Sequence, residues 1–314
     1  MESRSFDVVI VGGGAAGLSA ALVLGRARRR VAVVDSGEPR NAAAAHMQGY
    51  LSRDGMPPSE LVGAGRAEVV RYGVELIDRR VASIIVADGP GLAEPGFAVR
   101  LADGRELGAR RVLVAAGMAD ELPDVDGIRA RWGKDLLHCP YCHGWEVRDQ
   151  PLGVLASAPG SVLYAQIVRQ WSDDVILFSH TYNLTEEDRA ELAARGIDVV
   201  EGVVARLVVE GNRLTGVELL DGRVVARDAV FVRPVNRPRG HDLLAGLGCS
   251  FASDGFVIAD PSGRAAAGVW VAGNVVDARA QVITAAGEGS ASAIAINADL
   301  VREEVERALA AVAG

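Results

Sequence analysis

The stretch His138-Cys139-Pro140-Tyr141-Cys142-His143-Gly144-Trp145-Glu146 holds two of the chain's three cysteines, two residues apart and between two histidines. Thiols in a Cys-x-x-Cys turn close a disulfide with little backbone movement, and a thiolate there is stabilised if the turn opens a helix. Pro140 suits a helix start, because its missing N–H has no partner in the first turn anyway. An imidazole titrates near neutrality, so His143, or His138, is placed to take a proton from an incoming thiol and return one to a leaving thiolate. The segment therefore reads as a redox dithiol, with Cys139, Cys142, His143 and His138 as its chemical groups.

Other uses of two cysteines fit less well. A zinc site needs about four ligands. Cys249 and the scattered His46, His180 and His241 supply no second close-spaced pair, so no metal is expected. Three cysteines without an export signal do not staple a secreted domain. Cys249, in Leu247-Gly248-Cys249-Ser250-Phe251, reads as a small buried side chain.

The elements that position the dithiol are those of a nucleotide-binding scaffold. Phe6-Asp7-Val8-Val9-Ile10-Val11 reads as a strand buried in a parallel sheet. Gly12-Gly13-Gly14-Ala15-Ala16-Gly17 follows at once, and a helix begins with Leu18. Gly12 permits the tight turn, Gly14 admits a pyrophosphate, Gly17 lets helix and strand pack closely, and the helix N-terminus faces the phosphates. The strand Val31–Val34 ends on Asp35, 23 residues after Gly12, where a carboxylate accepts hydrogen bonds from a ribose. Residues 36–60 form a long loop without sustained period, of the kind that usually carries function. A helix at Ser59–Tyr72 and strands at Val74–Ile77 and Arg80–Val86 follow. Next come a hairpin turned at Asp103-Gly104 and a separate buried strand, Arg111–Ala116, closed by Gly117.

The plan then repeats: strand Pro151–Leu155, helix Ser161–Trp171, strand Asp174–Phe178, a hairpin turned at Asp221-Gly222-Arg223, and strand Ala229–Val232. The second unit lacks the phosphate-binding glycines. Ala156-Ser157-Ala158-Pro159-Gly160-Ser161 puts side chains where a pyrophosphate would approach, and Pro159 withholds an N–H. Ser179-His180-Thr181-Tyr182 brings no arginine for a 2′-phosphate. The last third returns to the first unit with the strand Gly268–Ala272, the turn Gly273-Asn274, a small-residue helix from Gln281 to Ala298, and a separate solvated tail helix, Glu303–Ala311.

At 314 residues the chain has room for two cores, and 49% hydrophobic with 24% charged residues is ordinary for a globular protein. A net charge of -8 argues against nucleic-acid and anionic-membrane partners. The first apolar run is too short for an export signal or a membrane span, so a cytoplasmic location is expected.

Together, the first glycine motif with Asp35, the strand ending at Gly117, the Cys-x-x-Cys in the inserted unit, and Ala272-Gly273-Asn274 with Ala280-Gln281 resemble the low-molecular-weight thioredoxin reductase family of FAD-dependent disulfide oxidoreductases. The resemblance implies an α/β fold of two Rossmann-like dinucleotide-binding domains, each a parallel sheet plus β-meander in three layers, the second inserted in the first. It places an FAD domain at 1–118 and 238–314, and a central domain bearing the dithiol at 119–237. It also implies a homodimer, a Cys142 that makes the flavin contact, and a Cys139 that exchanges with substrate. The FAD contacts it implies are Gly12, Gly14, Ala16, Gly17, Asp35, Arg40, Asn41, Val81, Gly117, Gly273, Asn274, Gln281 and Val282.

Three positions depart from the family's reductases. His143 stands where they usually carry aspartate, Gly273-Asn274 replaces Gly-Asp, and the central domain lacks the NADPH-binding glycines and arginines. These make the chain more similar to the branch typified by the gliotoxin and holomycin dithiol oxidases. The expected reaction is oxidation of a small dithiol, such as a natural product, with O2 as acceptor, although a protein thiol is a further candidate substrate. Two alternatives remain at this level: an NADPH- or NADH-dependent disulfide reductase with a diverged nicotinamide site, and a flavin-bound redox sensor.

Overall fold

The computed structural model describes residues 4–87 and 96–313. Its first strand, Arg4–Val11, has two buried faces: Val8 and Ile10 point into one core, Val9 and Val11 into another. A strand covered on both sides has no polar face to alternate with, hence its continuous apolar run. It pairs in parallel with Val31–Asp35 and Glu106–Val114, and the parallel strands Glu75–Asp78 and Val269–Val271 extend the sheet on either side.

Helices Ala15–Arg26 and Val282–Ala313 cover one face, joining Leu18, Ala21 and Leu24 to Ala293, Ile296 and Leu300. They cross so closely that a Cβ on Gly289 would run into the carbonyl of Ala16. An antiparallel meander, Val81–Ala87 with Gly96–Leu101 and the first half of Glu106–Val114, contributes to the core on the other face.

Two boundaries differ from the sequence reading. The hairpin arm and the buried strand are one strand, Glu106–Val114, which pairs antiparallel with 96–101 near its start and parallel with 4–11 along its length. The two C-terminal helices are one helix of 32 residues, Val282–Ala313. Residues 299–302 contain no helix breaker and bury Leu300, so nothing interrupts it. Its distal part is not simply solvated, because Glu303 is 3% exposed and paired with Arg111 from the sheet at 2.9 Å.

The second sheet is parallel throughout, in the order Asp198–Val200, Val175–Phe178, Leu152–Leu155, Ala229–Val232, Leu136–Leu137. It carries the helix Ser161–Val168 and a three-stranded meander over 204–226. The antiparallel ribbon Met118–Glu121 with Val235–Pro238 joins the two parts where the chain leaves the first sheet and returns to it. The architecture is thus two α/β units of one plan, the second inserted into the first. Among the described residues no helix is long and apolar enough to cross a membrane.

Candidate active site

The first glycine turn has the shape a dinucleotide requires. Gly12 has φ +104°, and a Cβ there would strike the carbonyl of Ala115. A Cβ on Gly17 would strike the carbonyl of Gly12, whereas around Gly14 there is open space. The first turn of Ala15–Arg26, which includes Ala16, has neither an acidic residue nor a side-chain cap, leaving its N–H groups free for an anion. Asp35 ends its strand against Gly13, where a Cβ would lie 2.9 Å from the carboxylate. A side chain at Gly13 would press on the Asp35 carboxylate, a contact the sequence reading did not assign. These residues fit FAD, the cofactor that members of the thioredoxin reductase-like family generally bind.

The other expected flavin contacts divide. Gly117, at φ +70°, has open space around its Cβ position, and Val81 is buried at the start of its strand. Asn41 lies in the short turn Arg40–Ala43. Arg40 itself is committed to a two-pronged ion pair with Asp120, at 2.8 and 2.7 Å. The N–H of Gly273 donates to Glu288 at 2.7 Å, and the amide of Asn274 donates to the carbonyls of Asp277 and Ala280, both at 2.9 Å. Asn274 thus draws in the loop that leads to Gln281 and Val282, where the long helix begins. The side-chain oxygen of Gln281 lies beside Gly49.

The dithiol sits just past the strand Leu136–Leu137, at the start of the short helix Pro140–His143. Cys139 and Cys142 are joined as a disulfide. Cys139 is the N-cap, and its sulfur accepts the N–H of Cys142 at 3.1 Å. Gly144 lets the segment lie on Trp171, since a Cβ there would be 2.7 Å from the indole. Tyr141 packs edge-on against the same ring at 5.4 Å. Tyr141 and Trp145 are each 66% exposed, and the Arg148 guanidinium lies 4.0 Å over the Trp145 ring.

The two histidines stand in different settings. His138 is mostly buried, with no partner for Nδ1, and Tyr164 donates to its carbonyl. Burial pushes its pKa down to about 4, helped by Arg40 and Arg233 and opposed by Asp120 and a hydrogen bond to the Val232 backbone. His143 is also lowered, by burial, but the Glu146 carboxylate opposes the shift. Burial holds both imidazoles below the ordinary histidine value, and a carboxylate opposes the shift in each, Asp120 for His138 and Glu146 for His143.

The turn after Leu155 engages several of its own polar groups. Both the N–H and the hydroxyl of Ser161 donate to the carbonyl of Ala158, at 3.3 and 2.6 Å. Arg233 donates from Nη1 to the carbonyl of Pro159 at 3.1 Å, and its guanidinium fills the space in which a side chain on Gly160 would lie. The helix Ser161–Val168 also starts without an acidic residue or a side-chain cap, but its turn carries side chains and Pro159 in place of the first unit's glycines, with Arg233 against Gly160. Sequence reasoning missed Arg233, 74 positions from Pro159, and no local pattern signals the contact.

A glycine cradle joined to a disulfide on an inserted unit defines a thioredoxin reductase-like disulfide oxidoreductase. The sequence profile of the pyridine nucleotide-disulphide oxidoreductase family matches residues 6–289, and the chain belongs to that family. It superposes on the crystal structure of HlmI with a TM-score of 0.95 and 56% identity, over 98% of this chain and 96% of that one. Against TrxB from Bacillus anthracis the TM-score is 0.88 at 34% identity, covering 95% and 99%. Thioredoxin reductase sirT of Leptosphaeria maculans is 29% identical over 93% of each chain. The matches to a probable thioredoxin reductase of Arthroderma benhamiae and to thioredoxin reductase tcpT of Claviceps purpurea, 33% and 36% identical, span about half the relatives' length (46% and 52%) and 58% and 54% of this chain.

Proposed function

We propose that the protein is an FAD-dependent dithiol oxidase that forms a disulfide in a small dithiol, with dioxygen as electron acceptor. The observation that carries this reading is the turn Ala156–Ser161, closed on itself and occupied by Arg233. A nicotinamide nucleotide would meet no glycine cradle at this turn, so in this reading electrons enter through the dithiol and the reaction runs as oxidation. The exposed Tyr141 and Trp145 beside the disulfide suit a small, partly apolar substrate. Dimerisation through a second copy and a cytoplasmic setting remain parts of this proposal.

His143 accepts the proton of one substrate thiol, and the thiolate attacks the sulfur of Cys139. A sulfur–sulfur bond to substrate forms, the Cys139–Cys142 bond breaks, and Cys142 leaves as a thiolate that takes the proton from His143. His143 then accepts the proton of the second substrate thiol. That thiolate attacks the substrate sulfur of the mixed disulfide, forming the product disulfide, and Cys139 leaves as a thiolate held by the N–H of Cys142. Two electrons from the substrate now reside on the protein dithiol. When bound, FAD supplies their exit to dioxygen, with hydrogen peroxide as the reduced product.

The names of several relatives, thioredoxin reductases, favour a second reading, a disulfide reductase, for which a nicotinamide nucleotide would be the electron donor. Anaerobic mixing of the flavin-loaded protein with dithiothreitol, NADPH and NADH in separate cuvettes distinguishes the two. The oxidase reading expects only the dithiol to bleach the flavin, with air restoring the colour and producing peroxide. Rapid bleaching by a nicotinamide overturns it, and bleaching by none of the three favours a sensor.

A further inference from the structure

The helix Ser161–Val168 and the turn that follows it hold the dithiol segment at both ends. Tyr164 faces the core of the second unit, 8% exposed and edge-on to Phe231 with ring centroids 6.5 Å apart. From there its hydroxyl donates to the carbonyl of His138, the residue before Cys139. Trp171 takes the other end. Its indole backs Gly144 and meets Tyr141 edge-on at 5.4 Å, and its carbonyl accepts the N–H of Asp149 at 2.8 Å. Beside it the hydroxyl of Ser172, a buried residue, donates to the carbonyl of Gln150 at 2.5 Å.

The helix Pro140–His143 is a single turn, and a turn that short does not hold itself. Its shape is set by what it rests on. Tyr164 pins the peptide group that joins His138 to Cys139, and that peptide decides where the Cys139 side chain leaves the backbone. Cys139, extended at φ -104° and ψ 111°, thereby brings its sulfur to the N–H of Cys142 at 3.1 Å. We propose that Tyr164 and Trp171 are positioning residues for the redox pair: Tyr164 aims the Cys139 sulfur at the N–H that stabilises its thiolate, and Trp171 supports the turn that carries this N–H. The second unit's helix, which follows a turn filled with side chains, thus serves the dithiol through its own side chains.

The direction of the effect follows from the two oxidation states. A disulfide sulfur is a weak acceptor, whereas a hydrogen bond to a thiolate is charge-assisted. Tyr164→Phe removes one oxygen, keeps the ring against Phe231, and leaves the His138 carbonyl without this donor. The peptide is then free to turn, and the sulfur loses its fixed place over the N–H. That loss falls mainly on the reduced state, so the variant disulfide is harder to reduce and the Cys139 thiol harder to ionise.

The test uses the full-length, flavin-loaded protein, equilibrated without air in dithiothreitol buffers of varied thiol-to-disulfide ratio. The reduced fraction is read by alkylation and peptide mass spectrometry. Tyr164→Phe is expected to lower the equilibrium constant for reduction about threefold, roughly half the worth of a net hydrogen bond. Its iodoacetamide labelling of Cys139 moves to higher pH, and labelling of Cys142 stays in place. Trp171→Phe shifts both readouts in the same direction. Leu192→Ala, in the same core and away from the dithiol segment, lowers stability to urea and moves neither readout. An unmoved equilibrium constant and an unmoved Cys139 profile in Tyr164→Phe overturn the proposal, as do equal shifts in Leu192→Ala. Unmoved values in Trp171→Phe remove Trp171 from it. Neither readout involves a nicotinamide or dioxygen, so the result stands apart from the oxidase reading.

Discussion

Cys139 and Cys142 carry the same side chain in different electrical settings. The sulfur of Cys139 caps the helix and accepts the N–H of Cys142, which favours the anion on Cys139. Cys139 is thus suited to leave as a thiolate when product forms. In the reduced protein, brief alkylation with iodoacetamide below the ordinary thiol range is expected to label Cys139 first, read by peptide mass spectrometry. Prior labelling of Cys142 would reverse the assignment. The sequence exposed this pair plainly, because spacing and a following proline are local signals. It also exposed Gly12 and Gly17, which the fold packs closely against backbone, and Gly14, around which it leaves open space. Glu146 stands three residues from His143 and was within reach of the same reasoning. Tyr164 was not, since its contact with the His138 carbonyl joins positions 26 apart and leaves no pattern.

At the scale of elements, the strand–turn–helix units were legible because buried parallel strands are continuous apolar runs, and glycines mark where they end. The C-terminal helix was read as two because Asp299, Arg302, Glu303 and Glu304 interrupt the apolar pattern. In the fold that charge is partly internal. Arg111, 1% exposed on the sheet, meets Asp299 at 2.6 Å and Glu303 at 2.9 Å, and Arg307 also pairs with Glu303. A pair joined across 188 positions cannot be seen in a periodicity. Breaking a buried pair from one side leaves an uncompensated charge in the interior. Glu303→Ala should therefore cost roughly 3–5 kcal/mol by urea denaturation. The exposed Glu306, changed to Ala on the same helix, should stay within about 0.5 kcal/mol. Equal small losses would mean that Arg111 finds compensation elsewhere.

At the scale of the molecule, the repeated plan could be read from the chain, but the seating of the dithiol unit on the first could not. The contact is close: a Cβ on Gly133 would lie 2.7 Å from the carbonyl of Ala43, and Arg40 reaches Asp120 on the connecting ribbon. His138 lies at this seam, where the charges of Arg40 and Arg233 and its own burial all oppose protonation. In the unfolded chain its pKa returns to 6.5, against about 4 in the fold. Between those values the unfolded state binds the extra proton, so stability rises with pH there. The contribution is complete above the unfolded value and is lost as pH falls through the folded one, amounting to about 3 kcal/mol in full. Carboxylates titrate over part of the same range, which makes the wild type alone a poor reporter. His138→Gln does not titrate while the carboxylates remain, so the difference between the two proteins isolates the imidazole. Urea denaturation from neutral pH to about pH 4 should show wild type losing about 3 kcal/mol more than His138→Gln. Parallel curves would mean that the seam opens to let His138 meet water before it is protonated, and that the dithiol segment is held less firmly than its contacts with Arg40, Ala43 and Tyr164 require.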